Sequence, residues 1–272
     1  MVSLPNCKIN LGLNITDKRN DGFHNIETCF LPVGLKDALE ILPSDKFQFT
    51  NLGTQIVGDI SKNLCVMAYQ TLNDAFPYHI KPVQIILNKS IPMGAGLGGG
   101  SADGAFTLMM LNNYFNLQLT EQQLIEFALL LGSDCPFFIM NAASIGTGRG
   151  EMLERIPLSL KGYKILLVNP GIHIATKWAF EQITPCKKDK SIKDIVLQPI
   201  STWKSELIND FEKPISIAHP EILSIKRELY SKGAIYASMT GSGSTVFGIF
   251  GQLNESLFSF PKKYMTKFTE IL

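Results

Sequence analysis

The chain has 272 residues with 25 Lys and Arg against 24 Asp and Glu, a formal net charge of +1, 45% hydrophobic residues and 18% charged ones. That composition is ordinary for a soluble globular protein of one or two domains, and it lacks the basic excess of a nucleic-acid binder. Five cysteines without C-x-x-C spacing suggest reduced thiols in a cytoplasmic protein and neither a disulfide framework nor a zinc site, while the N-terminus lacks a signal-peptide core and the apolar runs are too short to cross a bilayer.

Residues 7–15 alternate, with Cys7, Ile9, Leu11, Leu13 and Ile15 on one face and Lys8, Asn10, Gly12 and Asn14 on the other, which predicts a half-buried strand. Lys8 and Asn10 either mark an exposed edge strand or line a space that Gly12 leaves open to a ligand. The cluster 17–22, DKRNDG, carries an Asp-Gly turn signal, and Phe23 and His24 emerge from it as candidates for stacking on a planar ligand. Short strands are expected at 37–42 and 46–50, then an amphipathic helix at 61–76 capped by Ser61 and ended by Pro77. A strand at 83–87 follows.

That strand feeds the most distinctive stretch, with six glycines between positions 94 and 104 before an apolar helical pattern. Glycines let main-chain N–H groups approach a ligand, and a helix start favours an anion, so the expected ligand is a phosphate. Gly94, Gly96 and Gly99 satisfy G-x-G-x-x-G formally, but a second helical pattern stands where a dinucleotide fold needs a strand. No Gly-Lys-Ser/Thr closes a Walker A loop. Ser101 is expected at the N-cap of the helix, either capping it or turning to a phosphate or its Mg²⁺, and Asp103 reads as structural or metal-linked.

A helix at 120–131 opens on T-E-Q-Q and closes at Gly132. Asp134 then either caps the next helix, with Pro136 behind it, or is a carboxylate in apolar surroundings. Residues 144–151, SIGTGRGE, read as a hairpin with a structural Arg149. A connection at 156–162 leads to a strand at 163–169 and a helix at 176–183; the Lys-rich segment 186–201 reads as a mobile polar loop. Helical patterns cover 203–211 and 220–231, and 236–250 reads as two strands joined at Gly241, Ser242 and Gly243.

Taken together, the 7–15 strand, with Lys8-Ile9-Asn10-Leu11, the stretch 92–105, with PMGAGLGGGSAD, and the stretch 239–247 resemble, in order, the three motifs of the GHMP small-molecule kinases, named for galactose, homoserine, mevalonate and phosphomevalonate. Arg19-x-Asp21-Gly22-Phe23-His24 and Gly132-Ser133-Asp134-Cys135-Pro136 are similar to a subgroup whose alcohol acceptor carries a cytidine diphosphate. The resemblance implies an α+β GHMP kinase fold, with an ATP-binding, ribosomal protein S5 domain 2-like domain at 1–157 and a ferredoxin-like domain at 158–272. It implies transfer of the γ-phosphoryl of ATP, with Mg²⁺, to a small-molecule alcohol. The expected form is a monomer or weak homodimer with no nucleic-acid or membrane partner.

By the same resemblance Asp134 matches the catalytic base and Lys8 its partner. Pro92, Met93, Gly94, Ala95, Gly96, Leu97, Gly98, Gly99, Gly100, Ser101 and Ala102 would bind the nucleotide phosphates, with Asn63, Leu64 and Lys89 on the nucleotide side. Asn10, Phe23, His24, Thr176, Phe180, Gly241 and Ser242 would hold the acceptor, His24 and the aromatics on its cytosine; no metal-ligating side chains are implied. Two departures stand out. Phe23 replaces the usual Tyr, and Gly104 replaces a common Ala at a cost of up to about 1 kcal/mol in helix propensity.

Overall fold

The computed structural model describes residues 1–56 and 58–272. In chain order the first half contains β1 (Val2–Ser3), β2 (Asn6–Lys18), β3 (His24–Lys36), β4 (Ala38–Pro43), β5 (Gln48–Gly53), α1 (Leu64–Ala75), β6 (Val83–Lys89), α2 (Gly99–Tyr114), α3 (Glu121–Leu131) and α4 (Cys135–Met140). There follow β7 (Ser144–Thr147), β8 (Met152–Arg155), β9 (Lys164–Asn169), α5 (Thr176–Glu181), α6 (Ile192–Val196), α7 (Trp203–Glu206), α8 (Glu212–Ala218), α9 (Pro220–Ser231), β10 (Tyr236–Met239), β11 (Val246–Phe250) and β12 (Met265–Glu270). Helices and strands are mixed throughout, as an α+β fold requires.

One compact unit comprises Met1–Cys7, Leu35–Met93 and Gly98–Asn141. Its sheet has the order β1-β4-β6-β5, and the parallel pair β5 and β6 is joined through α1, the crossover that parallel pairing demands. Along β6, Val83, Ile85, Leu87 and Lys89 are buried in alternation with more exposed neighbours. The same period of two that seats three aliphatic side chains in the core therefore seats the Lys89 charge there as well. Helix α1 opens at Asn63, whose Oδ1 accepts the Cys65 N–H at 2.9 Å. The expected cap, Ser61, is taken up beforehand in a single 3-10 turn, Ile60–Lys62, capped by Asp59. Helix α3 has the capping box between Thr120 and Gln123 and stops at Gly132, as its sequence suggests.

The other unit comprises Lys8–Gly34, Gly94–Leu97 and Ala142–Leu272. Its sheets have the orders β2-β3-β7-β8 and β10-β11-β9-β12. The expected half-buried strand is buried on both faces from Lys8 to Ile15, with Lys8 4% and Asn10 2% exposed. β2 ends its sheet, yet its outer edge is occupied: Leu13 N donates to Ile208 O at 2.9 Å, Asp210 N to Leu13 O at 2.8 Å, and Ile15 N to the Asp210 carboxylate at 2.9 Å. That capture also ends the expected 203–211 helix at Glu206. Residues 208–210 lie along β2 through the bridge Leu13↔Asn209, and α8 begins afresh at Glu212.

Segment 186–201 is likewise not a bare loop. Ser191 caps α6, whose Ile192, Ile195 and Val196 are buried, and Lys188, Lys190 and Lys193 are paired with Asp210, Glu206 and Glu154. A short apolar triplet hidden among lysines was enough to dock the segment. In the core of this unit Leu13 and Ile15 pack with Val168, Phe211, Met239 and Phe250. Among the described residues no helix is long and apolar enough to cross a membrane.

The cap assignment predicts that Asn63→Ala costs about 1 kcal/mol in denaturant unfolding, whereas Ser61→Ala stays within about 0.5 kcal/mol. Equal losses would return the cap to Ser61.

Candidate active site

In the second unit the polar face of β2 is a hydrogen-bonded seam. Lys8 Nζ donates to Asn10 Oδ1 at 2.8 Å and to Gly96 O at 3.2 Å, and lies 5.3 Å from the centre of the Phe30 ring. The Thr240 hydroxyl accepts from Asn10 N at 3.0 Å and stands within donor range of both Asn10 Oδ1 (3.1 Å) and Gly96 O (3.0 Å). Lys8 N adds a bond to Leu97 O at 3.0 Å. Residues 8–10, 94–97 and 240–241, far apart in sequence, are thereby held together. Gly96 is obligatory: with φ at +77°, a Cβ there would lie 2.1 Å from Thr240 O.

The residues expected to hold an acceptor fall in the same unit. Phe23 is 53% exposed, with the Arg149 guanidinium 5.1 Å from its ring centre. His24 stacks on Phe180 at 4.7 Å and 15°, and Phe180 meets Phe211 edge-on at 4.9 Å. Burial, helped by Lys18, pushes His24 below the usual histidine range, so at neutral pH the ring offers one donor and one acceptor. One helical turn before Phe180, the Thr176 hydroxyl lies 3.3 Å from that of Ser242. Asn209 Nδ2 donates to Met239 O at 2.8 Å and Gly241 O at 2.9 Å, fixing the hairpin tip. Thr240, Arg149 and Asn209 carry this geometry without having been singled out by sequence: Arg149 reads as structural, and a threonine beside Gly-Ser-Gly has no signal of its own.

In the first unit α2 starts earlier than expected. Gly98, at φ 68°, occupies the N-cap with no side-chain cap, so Ser101 lies inside the first turn. The first N–H groups of α2 are left without a side-chain partner, the condition for receiving an anion. Ala102 is buried here, as are Ala95 and Leu97 in the second unit, so each has only its main chain to offer a ligand. Asp134 occupies the N-cap position of α4 in a helical conformation and makes no side-chain cap. Its carboxylate is therefore not used in capping.

The nucleotide-side residues come out differently from one another. Asn63 Oδ1 is used in capping α1. Lys89 is enclosed: its Nζ pairs with Asp37 and, at 2.7 Å, with Asp103, and its side chain is 1% exposed. The charge is answered inside the protein by these two carboxylates. Burial would lower the Lys89 ammonium, but the two carboxylates hold it above its ordinary value. Burial pushes the Asp103 carboxyl up to about 7, opposed by Lys89 and helped by Asp37. The departure at Gly104 also has a cause. A Cβ there would lie 2.8 Å from the Leu64 Cβ, so the missing methyl is what lets α1 approach α2.

Comparison with known proteins matches residues 63–142 to the family model "GHMP kinases N terminal domain" and residues 197–262 to "GHMP kinases C terminal". The chain is 51% identical over 254 residues, 92% of each chain, to the 4-diphosphocytidyl-2-C-methyl-D-erythritol kinase of Bacteroides fragilis, and 46% identical over 257 residues, 94% of each, to the protein of that name from Cytophaga hutchinsonii. A crystal structure of 4-(cytidine 5'-diphospho)-2C-methyl-D-erythritol kinase is similar with a TM-score of 0.79 at 29% identity, covering 92% of this chain and 90% of that one. The Methanococcus jannaschii mevalonate kinase shares the fold, with a TM-score of 0.73 at 14% identity over 100% of this chain and 98% of its own.

The raised Asp103 pKa makes a pH prediction. Its folded value lies above the unfolded one, so its contribution to stability is complete below about pH 4 and lost as pH rises through about 7. Asp103→Asn has no such slope, and the difference in Tm, variant minus wild type, is expected to grow more positive from pH 5 to pH 8. A difference flat across that range would show that Asp103 ionises normally.

Proposed function

The chain belongs to the GHMP kinases and is a small-molecule kinase, and we propose that it phosphorylates the 2-hydroxyl of 4-diphosphocytidyl-2-C-methyl-D-erythritol with ATP, a step of non-mevalonate isoprenoid precursor synthesis. The observation that carries the reading is the seam of Lys8, Asn10, Gly96 and Thr240, which ties all three motif stretches into one hydrogen-bonded network. The acceptor is supported by the turn bearing Phe23 and His24 and by relatives of that name matching nearly the whole chain.

In this reading the acceptor oxygen attacks the γ-phosphorus as the bond from that phosphorus to the β–γ bridging oxygen breaks, and ADP leaves. Asp134 takes the hydroxyl proton. Lys8, a buried ammonium held in one place by Asn10 and Gly96, offsets negative charge developing on the attacking oxygen. Such transfer depends mainly on positioning and electrostatics, with a general base adding about 10²- to 10⁴-fold. The uncapped N–H groups of α2 and the Ser101 hydroxyl in its first turn fit the phosphates of a magnesium nucleotide. Mg²⁺ carried in with the nucleotide would supply charge neutralisation there.

Phe23 supplies a stacking face for the cytosine, His24 its one donor and one acceptor, and Thr176 and Ser242 adjacent hydroxyls for the acceptor's polar groups. We keep the division at 157/158 as the domain boundary on the two matched family regions, 63–142 and 197–262, which fall on either side of it, although residues 8–34 and 142–157 belong to one compact unit with 158–272. We place the enzyme in the cytoplasm as a monomer or weak homodimer, acting on a small molecule and on neither nucleic acid nor membrane.

The wild-type enzyme is expected to release ADP with the cytidyl acceptor and Mg-ATP, and not with homoserine or mevalonate; equal turnover on those alcohols would sink the assignment. Asp134→Asn and Lys8→Met should each lower kcat by at least about 10²-fold, and activity within about threefold of wild type would remove that residue from the chemistry. Phe23→Ala should raise the acceptor KM by about tenfold or more, in line with about 1–3 kcal/mol for base–aromatic stacking, with ATP KM unchanged and Phe23→Tyr close to wild type. An unchanged acceptor KM in Phe23→Ala would take the ring out of the site.

A further inference from the structure

Outside the residues assigned to chemistry, the strongest polar construction is the cluster Lys89, Asp37 and Asp103, all three at most 3% exposed. Asp37 Oδ2 takes Lys89, while its Oδ1 accepts the backbone N–H of Ser90 at 2.5 Å and of Ile91 at 2.8 Å. Those two residues lead directly into Pro92, Met93 and Gly94. Asp103, on the other side of Lys89, belongs to the opening turns of α2, just after Gly98, Gly99, Gly100 and Ser101. The segment entering the glycine loop and the helix leaving it are thus anchored on a single ammonium. Gly99, the first residue of α2, backs onto the cluster so closely that a Cβ would lie 2.9 Å from Lys89 Nζ and 2.7 Å from an Ile91 methyl.

We propose that Lys89, Asp37 and Asp103 are positioning residues for the nucleotide: a three-residue polar clamp that sets the entrance and exit of the glycine loop so that its N–H groups converge on the phosphates. The inference rests on the reading of that loop as the ATP site. A purely structural role fits less well. Buried ion pairs are weak sources of net stability and apolar side chains often fill the same space equally well. What charges provide and methyl groups do not is direction: Asp37 orients two consecutive N–H groups while Lys89 fixes where α2 begins. Asp103 Oδ1 has no hydrogen-bond partner, so Asp103 is bound to the clamp through Oδ2 alone. It is the member whose replacement leaves Lys89 and Asp37 as a balanced pair.

The test is steady-state kinetics of the full chain on Asp103→Leu and Asp103→Asn, with Tm measured alongside and binding of a non-hydrolysable ATP analogue measured by titration calorimetry. Asp103→Leu cuts the tie without burying an unpaired charge; it is expected to raise the ATP KM and the analogue Kd by about tenfold while kcat and acceptor KM stay within about threefold. Asp103→Asn, which can still accept from Lys89, should recover most of that loss. ATP KM and analogue Kd within twofold of wild type in Asp103→Leu, whatever its Tm, would overturn the clamp, as would a parallel fall in kcat and both affinities. If Asp103→Leu fails to fold, Asp103→Asn decides: its analogue Kd should rise by about two- to threefold, and an unchanged Kd overturns the proposal. Wild-type protein that binds no analogue at all would instead refute the ATP reading on which the clamp rests.

Discussion

A buried ammonium must be answered by acceptors, and much of this molecule is arranged around two of them. Lys8 and Lys89 both lie in strands at positions closed to water, 4% and 3% exposed. Stripping the hydration from a charge costs far more than one hydrogen bond returns, so each lysine fixes several groups about itself. Lys8 draws in Asn10 and Gly96 O; Lys89 draws in Asp37 and Asp103. In each unit one of these charges is bonded to, or packed against, a piece of the glycine-rich stretch. A loop with almost no side chains of its own thereby acquires a definite shape from partners supplied by neighbouring elements.

The glycines are the complement of those charges. At Gly96 the carbonyl of Thr240 occupies the place of a side chain, and at Gly99 an Ile91 methyl and the Lys89 ammonium do. Gly104 carries the same logic into the helix pair, where its missing methyl is filled by Leu64. A helix interior with glycine gives up about 1 kcal/mol in propensity relative to alanine, and close packing of α1 on α2 is what offsets it here. Flexibility is thus a poor description of this stretch: its glycines are positions where another part of the same unit has been brought unusually near.

How far the sequence disclosed this depended on the range of the interaction concerned. Short-range signals read directly: the strand at 83–87, the T-E-Q-Q opening of α3, the helix at 220–231 and the family motifs. Where local signals differed from the structure, either the backbone took an unsignalled conformation or a distant partner intervened. Ser101 looked like a cap because nothing nearby showed that Gly98 would adopt the left-handed conformation. The 203–211 helix was cut by the edge of β2, nearly two hundred residues away, and the lysines of 186–201 concealed α6 because their acidic partners lie elsewhere in the chain. Lys89 is the instructive case. Its place two residues beyond Leu87 on the core face was legible from period two alone, yet a lysine near a phosphate loop invites assignment to the nucleotide.

The two halves of the proposed chemistry differ in how they are held. Among the groups assigned to phosphoryl transfer, Lys8 is buried and Ala95, Leu97 and Ala102 offer only main chain, while Asp134 and Ser101 are half-buried. Among the groups assigned to acceptor recognition, Asn10 is buried in the Lys8 seam, whereas Phe23 is half exposed and kept in place by a guanidinium on its ring instead of by core packing. A cation on one face of an aromatic ring leaves the other face free to stack, and it does so without the desolvation that burial would require. A Tyr hydroxyl is not needed for that arrangement, which is why Phe at position 23 is compatible with the same use. Transfer of a phosphoryl group tolerates little displacement of its charges, whereas a base stacking on a ring tolerates more. The rigid seam around Lys8 and the lightly held turn at Phe23 follow from that difference in tolerance.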